Sequence, residues 1–275
     1  MISAFFKESI VKRAQEKKLV DIELVDLRKF AVDKYGSVDD RPYGGGAGMI
    51  MRVDVIYKAL SHVISSEARN LVPIKSGRKL RSPPARGSLD SSSSLAPRND
   101  EKGKKTILTS PKGKVFSQQM AINFSKLDHL IIIAGHYEEI DERARNFVDE
   151  EVSLGDFILT GGEIAASTIV DSVVRLIPGV LKKEEATGLE TFMNVPINQL
   201  IDTFMENDLL IKSKNKGIKT VKLLEYPQYT RPEEFKGKKV PEVLLSGNHK
   251  EIEKWRLKKA FEETLKKRPD LLKVI

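Results

Sequence analysis

Residues 130–163 read LIIIAGHYEEIDERARNFVDEEVSLGDFILTGGE, and the reading of this stretch decides the fold. A saturated apolar run at 130–134 stops abruptly at Gly135-His136-Tyr137-Glu138. A second apolar run at 157–159 stops at Gly161 and Gly162. Short buried-type strands that each end in glycine are how an α/β protein brings bare backbone up to a ligand. Acidic side chains surround both turns. The run 155–163, GDFILTGGE, contains neither a G-x-G-x-x-G nor a G-K-[ST], which argues against a dinucleotide or nucleoside triphosphate as ligand.

Working outward, residues 163–177 are apolar on most faces and predict a helix stopped by Pro178-Gly179. Upstream, 106–109 predicts a short strand, followed by Ser110-Pro111-Lys112-Gly113. Residues 7–20 have helical character, and the alternation of Ile22 and Leu24 predicts a strand over 21–27. A charged, glycine-dense loop covers 37–51, and a helix covers 53–63. Residues 64–105 differ in kind, with nine serines between Ser65 and Ser94, four prolines and little apolar content. Such a segment cannot bury enough surface to offset its ordering entropy, so it is expected to be a disordered insertion. Residues 182–222 read as a polar, lysine-rich linker with a short helix near 199–205. A small helical C-terminal domain is expected over 223–275, leaving 1–181 as the ligand-binding domain. Its last helix starts at Asn248 as N-cap, with Glu251 three residues on. Ile252, Trp255, Leu257, Phe261 and Leu265 form the expected buried stripe, and Pro269 ends it.

The net charge of +8 over 275 residues is unevenly placed. Residues 65–105 carry ten basic against four acidic side chains, and 193–275 carry eighteen against twelve, whereas 106–192 carry eight against fourteen. Basic flanks around an acidic centre fit either a polyanionic partner such as RNA or DNA, or a solvated lysine-rich surface. The absence of cysteine excludes disulfides, thiol catalysis and thiolate metal sites, and is compatible with a reducing cytoplasm. Four scattered histidines give no metal-ligand spacing. No run approaches the roughly 20 apolar residues of a membrane span.

An acidic, glycine-lined pocket without a phosphate cradle suits S-adenosylmethionine, whose adenine can be read by backbone groups. The signature of Rossmann-type methyltransferases does not appear, which leaves a knotted methyltransferase as the alternative. Seven ordered blocks then carry a family resemblance: DDRPYGGGAGM (39–49), SPKG (110–113), GHYEEIDER (135–143), SLGDFILTGGE (153–163), DSVVRLIPGVL (171–181), YPQYTRP (226–232) and LLSGNH (244–249). Together they resemble the bacterial tRNA (guanine-N1)-methyltransferases, the TrmD family of the SPOUT superfamily. The resemblance implies a parallel-sheet α/β domain with a deep trefoil knot, a helical C-terminal domain and an obligate homodimer with its active site at the subunit interface. It also implies S-adenosylmethionine as methyl donor, Mg²⁺ as a further cofactor, tRNA as partner and methylation of the guanosine immediately 3′ of the anticodon.

Site residues follow from the same blocks. Guanine N1 must lose its proton as the methyl arrives, and negative charge develops at O6. By motif position the resemblance implies Arg175 as the arginine that would stabilise O6; the bland alternative is a helix-surface pair with Asp171 at i, i+4. Glu190 falls where the family has its catalytic aspartate, with Asp202 and Asp208 as fallback bases if the register has slipped. Glu138 is either a contact for Mg²⁺ or a turn-capping carboxylate. Leu108, Thr109, Ser110, Pro111, Gly113, Gly135, Tyr137, Leu154, Gly155, Leu159, Gly161 and Gly162 would line the cofactor cleft. Asp40, Arg41, Gly44 and Gly45 would sit by the cofactor and target base, and Lys254 and Lys258 would hold tRNA phosphates. The chain departs from the family pattern by opening where the family has already completed a strand, by the 64–105 insertion, and by about thirty extra residues around 193–222. Those departures motivate a second expectation, a tRNA- or cofactor-binding remnant without catalysis.

Overall fold

In the computed structural model residues 2–70, 103–181, 190–204 and 208–272 are described, and the chain divides into two units, Met1–Leu181 and Lys182–Ile275. The first unit runs α1 (Ser9–Glu16), β1 (Asp39–Asp40), β2 (Ile50–Met51), α2 (Val53–Asn70), β3 (Lys104–Val115), α3 (Gln118–Phe124), β4 (His129–Ala134), β5 (Glu139–Ile140), β6 (Glu150–Ser153) and α4 (Gly162–Val174). Its main sheet has the order β4-β3-β6, with both pairings parallel.

The centre of this sheet is buried on both faces, because successive side chains of β3 point to opposite sides. Ile107 packs with Ala121 and Phe124 of α3 and with Ile169 and Val173 of α4. Leu108, one residue on, packs with Ile56 and Leu60 of α2 and with Ile133 of β4. Both side chains are fully buried, and each such burial contributes about 1.5–3 kcal/mol. A smaller cluster of Phe6, Val11 and Ala14 with Val174 and Val180 seats α1 against the end of α4.

Several expectations are revised. The strand expected at 157–159 lies earlier: β3 takes Glu150–Ser153 as its partner, leaving Phe157 and Ile158 53% and 82% exposed. Charged residues are tolerated in β6 because they are paired. Glu150 receives Lys105 at 2.5 Å and Lys114 at 3.3 Å, while Val152 alone fills the core. The strand expected at 21–27 does not form; among the described residues no strand pairs with it, and Ile22 packs on the α1 cluster while Leu24 is exposed. The helix expected over 53–63 continues to Asn70, and β3 begins at Lys104, so both ends of the expected insertion belong to regular elements. The rest of that segment, 71–102, lies outside the described residues. The helix expected over 163–177 ends at Val174, before the proline.

The second unit contains β7 (Met193–Pro196), α5 (Ile197–Phe204), α6 (Asp208–Asn215), β8 (Thr220–Leu223), β9 (Glu234–Phe235), β10 (Lys238–Lys239), α7 (Glu242–Leu245) and α8 (His249–Lys267). Residues 193–222 are therefore not an open linker. β7 and β8 pair antiparallel, and Ile197, Leu200, Leu210 and Val221 share one core with Ala260, Phe261 and Leu272. Apolar residues hidden among lysines supply that core, which is why composition alone read the segment as solvated. Asn248 caps α8, its side chain accepting from the Glu251 N–H at 3.4 Å. Leu265 does not join the buried stripe; Ala260 and Thr264 do, and Leu265 is 42% exposed.

Candidate active site

The carboxyl ends of the three parallel strands converge with the amino end of α4, the place where open α/β sheets bind ligands. β4 ends at Ala134, and the backbone then turns so that the Gly162 N–H donates to the Gly135 carbonyl at 2.6 Å. His136 and Gly161 form an isolated bridge at the same point. From β3, the Thr109 hydroxyl donates to the Ile133 carbonyl at 3.2 Å. The packing leaves no room for a side chain at Gly162: a Cβ there would lie 2.3 Å from Thr109 Oγ1 and 2.8 Å from the Gly135 nitrogen. At Gly135 the nearest atoms to such a Cβ are 3.7 Å away, an ordinary contact distance that would accept a methyl group.

Ser110, Pro111, Lys112 and Gly113 leave the β3 ladder as a loop. Thr109 and Lys114 are both in register with Val152, so four residues bulge opposite one. Gly113 closes the bulge against β6, where a Cβ would stand 2.4 Å from the Glu151 carbonyl carbon. Lys112 Nζ reaches across to both oxygens of Glu139 at 2.7 and 2.8 Å. Beyond β6, Ser153 Oγ accepts from the Gly155 N–H at 3.1 Å and turns the chain into the exposed run 156–160. Tyr137 holds a φ of 63°, a left-handed conformation rare for a non-glycine residue, and its ring is 46% exposed.

The glycine-dense loop meets this site through Glu138. β2 pairs in parallel with β5, the Glu138 N–H donates to the Met49 carbonyl at 3.2 Å, and the Glu138 side chain lies where a Cβ on Gly48 would be. Asp40, Arg41, Gly44 and Gly45 occupy the exposed arm of that loop, with the Asp40 carboxylate accepting from the Arg41 N–H at 2.7 Å. Leu108 belongs to the core, so only its backbone could face a ligand; Leu154 packs on the α3–α4 cluster, and Leu159 is exposed. Arg175 caps α4, its N–H donating to the Asp171 carbonyl at 3.3 Å. Glu190 lies in the second unit, half-buried just ahead of β7. The chain there is held by the Phe192 N–H on the Leu223 carbonyl at 2.7 Å and by the Glu225 N–H on Thr191 Oγ1 at 3.2 Å. The rest of its motif, 186–189, lies outside the described residues. The fallback bases are Asp202 within α5 and Asp208 opening α6, and Lys254 and Lys258 are exposed on α8.

Two contacts were missed by the sequence reading. His136 Nδ1 lies 3.2 Å from Glu163 Oε1, tying the β4 turn to the first turn of α4. Arg145, only 15% exposed, gathers three carboxylates: Glu142 at 2.8 Å from Nε, together with Glu139 and Glu151. The hydrogen bond that Arg145 donates to the Glu151 carboxylate heads the causes that raise its pKa above the ordinary arginine value. Burial pushes the Glu139 carboxyl up, but Lys112 and Arg145 outweigh it and hold that pKa below the usual glutamate value. Spacing in sequence could not reveal either contact.

The family model for tRNA (guanine-1)-methyltransferase TrmD matches residues 1–94 and 89–274. A tRNA (guanine-N(1)-)-methyltransferase of Carboxydothermus hydrogenoformans is 42% identical over 97% of this chain and 81% of its own length. Those of Clostridium botulinum and Geobacillus kaustophilus are also 42% identical, over 98% and 99% of this chain and 87% of their own lengths. Glycine turns at the ends of a parallel sheet, found in a chain matched almost end to end, identify it as a methyltransferase belonging to the tRNA (guanine-1)-methyltransferase (TrmD) family.

Proposed function

We propose that this chain transfers the methyl group of S-adenosylmethionine to N1 of guanosine 37 of tRNA, immediately 3′ of the anticodon. The observation that carries the reading is the convergence of backbone at Thr109, Gly135, Gly161 and Gly162, with no phosphate-binding glycine motif. Such a cleft fits an adenosine read through backbone donors and acceptors. When bound, S-adenosylmethionine supplies a methyl group on an electrophilic sulfonium. Gly135, Tyr137 and Gly155 would hold it, and the 110–113 bulge would close over it. Glu190 would take the N1 proton, and Arg175 would stabilise the charge developing at O6. The two residues belong to different units of the chain.

Among the described residues no three His, Asp or Glu side chains gather to hold a metal. Glu138 would therefore be a single carboxylate contact for a hydrated Mg²⁺ shared with substrate, and no step depends on it. The return of the chain at Gly162 beneath Thr109 and Gly135 supports the knotted SPOUT path. Exposed Phe157, Ile158 and Ile164 beside the cleft support a homodimer with the active site at its interface. Lys254 and Lys258 would grip tRNA phosphates, and a tRNA substrate places the reaction in the cytoplasm. No described helix is long and apolar enough to cross a membrane.

The test is transfer of labelled methyl from S-adenosylmethionine to two tRNA transcripts that differ only in guanosine or adenosine at position 37. Label is expected in the guanosine transcript alone. Label in both would overturn the target, and none in either, with cofactor bound, would leave a binding protein.

A further inference from the structure

The 110–113 bulge interrupts the register of β3 with β6. Register is lost between Thr109 and Lys114, and within the bulge the Lys112 N–H donates to Ser110 Oγ at 3.2 Å. What fastens its tip is Lys112, bound to both oxygens of Glu139, 27 residues away in sequence. Glu139 follows directly on the Gly135–Glu138 turn and pairs in β5 with Ile50, at the root of the glycine-dense loop. Its Oε1 also meets Arg145, whose other nitrogens hold Glu142 and, from β6, Glu151. These side chains thus add a link among three segments of the site, the bulge, the start of β5 after the β4 turn, and β6, beside the backbone bonds already described.

We infer that Lys112, Glu139 and Arg145 form a positioning relay that fixes the spacing of these segments and thereby the affinity for S-adenosylmethionine. The inference rests on the proposed function. An exposed ion pair is ordinarily worth little, because solvent screens it and two long side chains must be ordered. Here the Glu139 end is already held by Arg145, whose side chain is mostly buried, so ordering costs fall mainly on Lys112. At the other end, Glu151 Oε2 is buried with no hydrogen-bond partner among the described residues. Arg145 is thus what compensates that carboxylate, and its removal would disturb folding. The relay stays charged through neutral pH, since its two cations keep the Glu139 pKa low.

The test uses the exposed end: wild type, Lys112→Gln, Glu139→Gln and the double variant, each titrated calorimetrically with S-adenosylmethionine and assayed for methyl transfer. Each single change is expected to weaken cofactor binding roughly three- to fivefold, the upper range for an exposed pair. KM for the cofactor should rise in step with kcat unmoved, the thermal midpoint should hold in Lys112→Gln, and the double variant should be no weaker than either single one. Additive losses, unchanged affinity, or a loss in kcat alone would overturn the relay while leaving the functional reading intact. Absence of cofactor binding in the wild type would overturn both.

Discussion

Gly135 and Gly162 face each other across one hydrogen bond, yet a methyl group would meet different surroundings at each. At Gly162 it would collide with Thr109 and with the Gly135 backbone, so Gly162→Ala is expected to destabilise the first unit by about 1–3 kcal/mol, read from urea unfolding. At Gly135 the protein leaves room. Gly135→Ala should therefore keep stability while weakening S-adenosylmethionine binding, and a variant that binds normally would show the ligand lies elsewhere. Glu190→Gln keeps shape and loses only the ability to take a proton. It should slow single-turnover methyl transfer by about 10²–10⁴-fold with cofactor affinity unchanged; a rate within experimental error of wild type would remove Glu190 as base. Residue types at the turns were legible in the sequence because glycine and carboxylate carry their chemistry with them. The His136–Glu163 contact was not, since only the folded β4 turn brings those two together.

Among the elements, β4, α4 and α8 could be read directly: an unbroken apolar run, an apolar helix ahead of Pro178-Gly179, and an N-cap at Asn248. β6 could not, because its Glu150 and Glu151 look solvent-facing until Lys105, Lys114 and Arg145 are placed against them. Burial raises the Glu150 pKa, but hydrogen bonds from Lys105 and Lys114 outweigh it, leaving that pKa lowered. A carboxyl with a lowered folded pKa stabilises fully above its unfolded value of about 4.3 and loses that contribution as pH falls through the folded one. Glu150→Gln should therefore be less stable than wild type at neutral pH, and the gap should close on acidification below about pH 4. Denaturant midpoints at the two pH values measure this; a gap that persists in acid would mean packing rather than charge.

For the whole molecule, basic surface and exposed apolar side chains predict two assemblies. Replacing Lys254 and Lys258 by alanine should lower the slope of log affinity for tRNA against log salt by about two, if each meets one phosphate. An unchanged slope in filter binding would mark both as merely solvated. Ile158→Asp should leave the free chain folded, since the residue is 82% exposed, but abolish the proposed homodimer in sedimentation and methyl transfer with it. By itself the sequence determined the family, the parallel α/β character and the turns at which backbone is bared, because these depend on local runs, glycines and motif order. Only the tertiary structure decided that residues 193–222 build a core with α8 and that Glu150–Ser153 rather than 157–159 is the third strand. It alone also decided that Lys112, Glu139 and Arg145 meet. Strand partners, shared cores and ion pairs between distant segments depend on what the chain meets after it has folded, and a sequence read along its length carries no distance between such groups.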